Sequence, residues 1–504
     1  MIPRMSAHAN SDLLARSLSA VWHPCTQMKR HETLPLVPIA RGEGVWLYDL
    51  DGKRYLDTVS SWWVNLFGHC NPRINAALTD QLGKLEHVML AGFTHEPVVQ
   101  LSERLRELAP AGLGHCFYGS DGASATEIAL KMSAHFWRNS GKPKKTQFIS
   151  LQNSYHGETL GALSVTDVAL FRDAYGALIR QNATVPCPDW RNAEVGESAE
   201  SFALRCSDVL ETHLQRHHEH LAAFIVEPLV QGAAGMAMYH PVYLERAREL
   251  CSQFEVHLIA DEIAVGMGRT GTMFACEQTA NPPCPPFSKG GSQPQTMPHP
   301  SFDRTSTPPP FDCGRVVAQQ RGTHRRTHGA CKGGLGGISG ISPDFLLLSK
   351  GITGGYLPLS IVMTTDDIYQ AFYADETARG FLHSHSYTGN PLACRAALAT
   401  LDIFAQDDVL NANRAKTTFL NRIAQPLRDH PKVKNFRNTG MIWAFEVATP
   451  HADFAQRCFS LGLQHELLLR PMGNTVYFMP PYVIGEDEMQ MLVTRTLKIV
   501  DALT

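Results

Sequence analysis

The sequence predicts an α/β fold whose sheet contains parallel strands. Three apolar runs of strand length, at 221–226, 256–260 and 345–348, each lead into a polar or charged residue, and a segment of helical period at 242–254 separates the first two. A chain of 504 residues, 44% of them hydrophobic, is long enough for two hydrophobic cores. We therefore expect a sheet-bearing domain with room for a second one.

The first element with a chemical signal is a glycine-bearing turn at 118–127, which precedes a helical pattern at 128–137. Ser124 and Glu127 have the spacing of a capping box, so the turn is expected to open directly onto a helix N-terminus. The free backbone N–H groups of such a terminus suit a phosphate. A helix cap without any ligand explains the same residues.

The next two elements are strands that lead to candidate ligand contacts. A strand-like run at 147–151 precedes Tyr155, whose ring is able to stack on a planar ligand. Ligands of α/β sheets bind at the carboxyl ends of the strands, where the run at 256–260 delivers Asp261. A carboxylate there can pair with a protonated pyridine nitrogen. Taken alone, a strand-end aspartate more often caps the next helix.

The last predicted strand, 345–348, delivers Lys350 into a glycine-rich turn. An amine taken out of water at the end of a core strand has a lowered pKa and can form a Schiff base with an aldehyde such as pyridoxal phosphate. Lys350 is therefore the candidate reactive residue. An isolated Ser-Lys-Gly sequence would favour a surface lysine, and the neighbouring signals reverse that interpretation.

The four signals occur in the order phosphate turn, aromatic residue, strand-end aspartate and strand-end lysine. In this order and in its local sequences the chain resembles the class III aminotransferases, which are fold type I enzymes of pyridoxal phosphate. The resemblance runs from about Val21 to the C-terminus, with one interruption. The sequences that carry it are Trp22-His23-Pro24, Ser60-Ser61-Trp62-Trp63, His87-Val88-Met89, Ala260-Asp261-Glu262-Ile263-Ala264, Gly268-Arg269-Thr270-Gly271, Gly389-Asn390-Pro391-Leu392-Ala393-Cys394, Arg470-Pro471 and Met479-Pro480-Pro481-Tyr482.

This resemblance implies a large domain with a mostly parallel sheet flanked by helices, a smaller α/β domain, and pyridoxal 5'-phosphate as the cofactor. It implies that Lys350 carries the cofactor and moves the substrate proton, while Asp261 pairs with the ring nitrogen. It also implies a homodimer with shared sites, in which Ser386 reaches the phosphate of the neighbouring subunit. The implied cofactor-binding residues are Gly122, Ala123, Tyr155, Asp261, Ile263, Lys350 and Ser386.

The closer matches within the family imply the substrates. They imply transfer of an amino group from S-adenosylmethionine to 8-amino-7-oxononanoate, which gives 7,8-diaminononanoate in biotin biosynthesis; lysine or another amine stays open as the donor. Arg470 would bind a substrate carboxylate through its bidentate guanidinium. Cys25 stands where a tyrosine is frequent in the family, and Glu158 where an aspartate is frequent. The implied substrate-binding residues are Trp62, Tyr155, Ser384, Arg470 and Cys25.

The interruption is a predicted insertion at about 279–338 in the large domain. Between 281 and 340 there are 10 Pro and 10 Gly, with 7 Lys plus Arg against 2 Asp. Such a composition cannot bury enough apolar surface to offset the entropy of ordering, so we expect a disordered basic loop that the enzyme tolerates. The predicted division of the chain is 1–59 with 407–504 as the small domain and 60–406 as the large domain.

The inserted segment contains three weaker signals. Its cysteines and histidines lack zinc-finger spacing, so we expect no metal site. A basic cluster at 321–326 and a proline run at 308–310 leave nucleic-acid or partner binding open, although a solvated loop is the commoner explanation. We interpret the segment as passenger sequence from an in-frame insertion.

Composition narrows the remaining functions. A formal net charge of −3 gives no general attraction to nucleic acid or anionic membrane, and no apolar run reaches membrane-spanning length. Twelve cysteines without paired spacing favour free thiols in the cytoplasm. Three alternatives stay open: another class III transaminase that acts on an ω-amino acid, a catalytically impaired scaffold that only binds partners, and a nucleic-acid-binding protein that uses the basic cluster.

Overall fold

The fold was analysed in a computed structural model, which describes residues 9–34, 36–278 and 340–504. The strands are β1 (Ile39–Glu43), β2 (Trp46–Asp49), β3 (Arg54–Leu56), β4 (Leu113–Gly119), β5 (Gln147–Leu151), β6 (Ala183–Val185), β7 (Leu221–Val226), β8 (Val230–Gln231), β9 (Ala237–Met238), β10 (His257–Asp261), β11 (Phe345–Leu348), β12 (Ser360–Thr365), β13 (Val433–Thr439), β14 (Ile442–Val447) and β15 (Thr475–Phe478).

Helices surround these strands. They are α1 (Ala9–Ala20), α2 (Ser60–Trp63), α3 (Pro72–Leu82), α4 (Glu96–Leu108), α5 (Gly122–Asn139), α6 (Leu160–Leu163), α7 (Ala169–Arg172), α8 (Ala199–His217), α9 (Val242–Gln253), α10 (Asp366–Phe372), α11 (Pro391–Gln406), α12 (Val409–Ile423), α13 (Gln425–Arg428), α14 (Phe454–Gln464) and α15 (Glu486–Ala502). None of the helices in the described part of the chain is long and apolar enough to cross a membrane.

The central sheet has the order β4-β12-β11-β10-β7-β5-β6. Four of its neighbouring pairs are parallel, and β12 alone runs against its two neighbours, β11 and β4. The α/β fold with a mostly parallel sheet is thereby confirmed. The sequence did not predict the reversed strand, because its hydrophobic pattern is the same in either direction.

Both faces of the sheet are covered, which explains why its strands read as continuous apolar runs. Along β10 and β11, side chains alternate between two hydrophobic cores. Leu258 and Leu346 belong to one core, while Ile259 and Leu347 belong to the other. A strand that is buried on both faces has no solvent-facing side, so its polar residues stand only at its ends.

In the described residues, three smaller antiparallel sheets lie outside the central one, namely β1-β2-β3, β13-β14-β15 and the two-stranded β8-β9. The N-terminal part meets the C-terminal part at Leu56, whose N–H donates to the Glu466 carbonyl at 2.8 Å and whose carbonyl accepts from Leu468 N at 2.9 Å. The division into 1–59, 60–406 and 407–504 stays a prediction.

The predicted insertion at 279–338 lies outside the described residues. The residues that flank the gap lie beside each other, since the N–H of Ile341 donates to the Cys276 carbonyl at 3.1 Å. The chain therefore leaves and re-enters the described fold at one place.

Candidate active site

Three neighbouring parallel strands end at the same edge of the sheet and deliver one charged residue each. Ala260 of β10 is paired with Val226 of β7, and Asp261 is paired with Leu347 of β11. Asp261, Glu227 and Lys350 therefore come together from strands that are distant in sequence. Burial lowers the pKa of Lys350, and the charges of Asp261 and Glu227 act in the opposite direction.

The Lys350 amine lies over an indole. Its Nζ is 5.0 Å from the centroid of the Trp63 ring, a distance at which a cation is attracted to the ring face. Trp63 is buried, and its Nε1 donates to the Tyr477 hydroxyl at 3.2 Å. The indole also presses on Gly232, where an added Cβ would lie 2.9 Å from Cη2 of the ring.

Trp62 and Trp63 are carried by a left-handed turn. All four residues of α2, Ser60–Trp63, have φ between 48° and 73°, a conformation that costs roughly 1–2 kcal/mol per L-residue. Asp57 holds the turn, because its buried carboxylate accepts from Ser61 N at 2.9 Å and from Ser61 Oγ at 2.7 Å. His69 Nε2 lies 3.0 Å from the same carboxylate. Strain of this kind concentrates at functional sites.

Asp261 is fixed by contacts on both of its oxygens. Oδ2 lies 2.7 Å from Nδ1 of the buried His156, and Oδ1 accepts from Ile263 N at 3.1 Å. The side chain is therefore held in one orientation at the sheet edge. Ile263 is buried beside it and contacts the glycine that opens α5, where a Cβ on Gly122 would lie 3.0 Å from Ile263 Cγ2.

The helix N-terminus lies where the sequence placed it, but the predicted cap was wrong. Asp121 is the N-cap, and its carboxylate accepts from Ser124 N at 2.9 Å. The helix thus begins at Gly122 and Ala123, before the expected Ser124–Glu127 capping box. Glu127 instead accepts from Thr159 Oγ1 at 2.6 Å. Asp121, three residues upstream of Ser124, satisfies the N–H group of the third helical residue and so starts the helix earlier.

The segment after β5 packs against this terminus. Gly157 has φ of 121°, and a Cβ there would lie 2.6 Å from the Cβ of Ala123. Thr126 Oγ1 donates to the His156 carbonyl at 2.8 Å. The Tyr155 hydroxyl donates to Glu158 Oε1 at 2.9 Å. The predicted phosphate turn, the aromatic residue and the strand-end aspartate are therefore neighbours.

More exposed residues line the mouth of this site. The guanidinium carbon of Arg470 lies 4.7 Å from the centroid of the Trp62 ring, and Trp62 is 43% exposed. Cys25 Sγ lies 3.8 Å from Glu158 Oε1. Burial and the neighbouring Glu158 raise the pKa of the Cys25 thiol, so it is a poor thiolate.

The two predicted serines lie apart from these contacts. Ser384 and Ser386 are exposed, and neither side chain forms a hydrogen bond within 9–34, 36–278 and 340–504. His385 between them approaches the phosphate turn, with Nδ1 3.1 Å from Ser120 Oγ. The roles of both serines stay predictions.

Comparison with known proteins identifies the family. A family model for class-III aminotransferases matches residues 27–289 and 330–500. The chain belongs to the class III aminotransferases. A relative from Helicobacter pylori, named adenosylmethionine-8-amino-7-oxononanoate aminotransferase, is 42% identical over 98% of both chains. One of the same name from Geobacter sulfurreducens is 36% identical over 96% of both. The family predicted from the sequence is thereby confirmed.

Solved structures of aminotransferases agree with this assignment. The crystal structure of adenosylmethionine-8-amino-7-oxononanoate aminotransferase from Methanocaldococcus jannaschii has a TM-score of 0.80 and 30% identity, covering 98% of this chain and 99% of that one. An omega transaminase from Pseudomonas jessenii in complex with PMP has a TM-score of 0.81 and 26% identity, covering 97% and 98%. Class III aminotransferases depend on pyridoxal phosphate, which confirms the predicted cofactor and enzyme class.

The residues of this aminotransferase fit the cofactor. Gly122 opens a helix of 18 residues whose first N–H groups suit a phosphate. Because Gly122 has no Cβ, the Ile263 side chain can pack directly against it. Asp261 is a buried carboxylate held in one orientation, which suits pairing with a ring nitrogen, and Lys350 follows the adjacent strand β11 with its amine.

Sequence reasoning missed three residues of this aminotransferase site, namely His156, Glu227 and Trp63 as the contact of Lys350. Glu227 carried a signal, because it ends an apolar strand as Asp261 does. No local signal distinguishes His156 or Trp63 from the neighbouring residues. The contact of His156 with Asp261 spans 105 positions of the sequence, and that of Trp63 with Lys350 spans 287.

Proposed function

We propose that this enzyme transfers an amino group from S-adenosylmethionine to 8-amino-7-oxononanoate, which gives 7,8-diaminononanoate for biotin biosynthesis. The observation that carries transamination is the setting of Lys350, a partly buried amine between Trp63 and two carboxylates at the sheet edge. The substrates are supported by the names of relatives that are 42%, 36% and 34% identical over nearly the whole chain. We propose the cytoplasm as the place of the reaction.

In the proposed mechanism, the cofactor supplies a conjugated ring that delocalises the electron pair left when the substrate carbon loses its proton. Lys350 would hold the cofactor through Nζ. In the first half-reaction this nitrogen would move the proton from the donor carbon to the cofactor, and in the second it would move a proton from the cofactor to the acceptor carbon. Burial lowers the pKa of Lys350, which raises the fraction of neutral amine available as a base.

Other residues of the chain fix the reacting groups. Asp261, held by His156 and Ile263, would present its negative charge to the ring nitrogen. The N–H groups of Gly122 and Ala123 would bind the phosphate. Ile263 and Tyr155 would contact the ring. Holding the reactants in one geometry removes much of the entropic barrier to the reaction.

The substrate residues follow from the mouth of the site. Arg470 binds a substrate carboxylate, and the Trp62 ring beneath its guanidinium keeps the fork from rotating. Cys25 and Tyr155 share Glu158 as a contact, so they form one wall of the pocket. Ser384 is proposed as a further hydroxyl of this pocket.

We also propose a homodimer with shared sites, in which Ser386 reaches the phosphate in the neighbouring subunit. Ser386 is exposed, and Leu382 and Tyr387 of the same segment are 77% and 63% exposed, as expected of an uncovered interface. Light scattering at several concentrations tests the dimer. Ser386→Ala should weaken cofactor binding without changing the mass, and a monomeric wild type with a filled site contradicts the proposal.

The substrates are tested with the absorption band of the bound cofactor in the full-length protein. S-Adenosylmethionine should bleach the band, and 8-amino-7-oxononanoate should then restore it. If lysine bleaches the band and S-adenosylmethionine does not, lysine is the amino donor in place of S-adenosylmethionine. A band restored only by another keto compound would favour a different ω-amino transaminase.

Lys350→Ala is the control for this experiment. It should lose turnover by at least about 10²–10⁴-fold, because both the covalent link and the proton transfer are removed. A variant that keeps wild-type turnover would refute the assignment of Lys350. A wild-type protein that binds no cofactor would instead favour the impaired scaffold.

A further inference from the structure

Glu227 is a buried carboxylate beside the proposed cofactor site to which the mechanism above gives no role. It follows β7 directly, and the last paired residue of that strand, Val226, lies opposite Ala260 of the strand that carries Asp261. Glu227 is only 5% exposed. A charge at such a position is costly unless hydrogen bonds and neighbouring charges compensate for it.

Both oxygens of Glu227 accept a hydrogen bond from the backbone of the site. Oε1 accepts from Tyr155 N at 3.0 Å, and Oε2 accepts from Gly232 N at 3.0 Å. Gly232 lies against the Trp63 ring, over which the Lys350 amine lies. One carboxylate therefore joins the segment after β5 to the glycine that contacts this indole.

The charge of Glu227 also acts on that amine. Among the described residues, Asp261 and Glu227 are the carboxylates whose charges favour the protonated form of Lys350. Burial raises the pKa of Glu227 to about 7, so its ionisation changes near neutral pH. The titratable groups that face Glu227 are His156, Asp261, Tyr155, Tyr239, Cys187 and Lys350.

We infer that Glu227 is a positioning residue of this site: it aligns Tyr155 and Gly232 through its two oxygens, and its negative charge stabilises the protonated Lys350 nitrogen. This inference deepens the proposed function and rests on Lys350 as the residue that carries the cofactor. The pH at which the cofactor band changes reports the protonation of that nitrogen, so it measures the charge effect separately from turnover.

Glu262 provides a matched control. It is 1% exposed, burial raises its pKa to about 7, and it also accepts from two backbone N–H groups, those of Ala275 at 2.7 Å and Cys276 at 2.8 Å. Its charge, unlike that of Glu227, is not among those that act on Lys350. Glu227→Gln and Glu262→Gln thus remove the same kind of buried charge at two places, only one of which bears on the amine.

The test is a pH titration of the cofactor band in the full-length holoenzyme of wild type and both variants. Removing a negative charge destabilises the protonated nitrogen, so Glu227→Gln should lower the midpoint by about 1 pH unit or more. Glu262→Gln should shift it by less than about a third of that amount. Equal shifts in the two variants, or an unchanged midpoint in a folded Glu227→Gln protein, would overturn the inference.

Two further outcomes are decisive. If Glu227→Gln does not fold, Glu227→Asp replaces it. Its carboxylate lies one methylene closer to its own backbone and so retreats from the Tyr155 and Gly232 N–H groups, and a midpoint that is not below that of wild type overturns the inference. A wild-type band that vanishes in Lys350→Ala shows that the site assignment holds, so a failure of the Glu227 variants then counts against the inference alone. Without a Lys350-dependent band, the proposed site itself is wrong.

Discussion

Replacing Gly232 with alanine tests whether the Trp63 indole is held against Lys350 by backbone contact. The new Cβ would lie 2.9 Å from Cη2 and 3.0 Å from Cζ3 of the ring, whereas carbon atoms in contact normally lie about 3.5–4.0 Å apart. The indole must therefore move by roughly half an ångström to one ångström. Its Nε1 bond to Tyr477 at 3.2 Å and its burial oppose this movement.

We expect Gly232→Ala to lower the free energy of unfolding by about 1–3 kcal/mol, the usual cost of overpacking a core. The ring that moves lies 5.0 Å from Lys350 Nζ, and a misplacement of about 1 Å near reacting groups costs up to about 100-fold in rate. Thermal unfolding and kcat/KM for the complete transamination are the two measurements.

Gly114→Ala is the matched control, because a Cβ there meets nothing within 4 Å and the loss of glycine flexibility in the unfolded chain is the same. It should leave both quantities near wild type. If Gly232→Ala behaves like the control in stability and in kcat/KM, the contact between Gly232 and Trp63 does not position the indole, and the reasoning fails.

Three other predictions follow from the described contacts. Asp57→Ala should cost about 2–3 kcal/mol in unfolding and raise KM, because the left-handed turn loses its acceptor; Asp57→Asn should restore part of both, and equal behaviour of the two variants would contradict this role. Deleting 279–338 should change cofactor binding and kcat less than about twofold, since the flanks already meet at Cys276 and Ile341; a larger loss would show that the segment acts on the site. Burial lowers the pKa of His257 to about 4. Below about pH 6.5 this histidine therefore binds a proton in the unfolded state but not in the folded state. Stability should therefore fall by about 3 kcal/mol more in wild type than in His257→Gln between pH 7 and pH 4, and parallel curves in denaturant titrations would refute it.

Several strands of the central sheet were predictable because their signal is local. The runs at 147–151, 221–226, 256–260 and 345–348 match β5, β7, β10 and β11 within one residue. Burial on both faces makes such strands continuously apolar, so no partner strand is needed to recognise them. The cap of α5 was mispredicted although it is local, because two overlapping cap signals compete and the upstream Asp121 prevails.

The sequence by itself determined the family and the cofactor through its local motifs. It also identified Lys350 and Asp261 as candidates, because both residues stand just after an apolar run inside such a motif. Only the tertiary structure decided what surrounds them. His156 meets Asp261 across 105 positions, and Trp63 meets Lys350 across 287. The physical reason is that burial and polarity leave a periodic trace along a chain, whereas the pairing of two side chains depends on strand order, on backbone turns such as that of Trp63, and on the packing that closes around them.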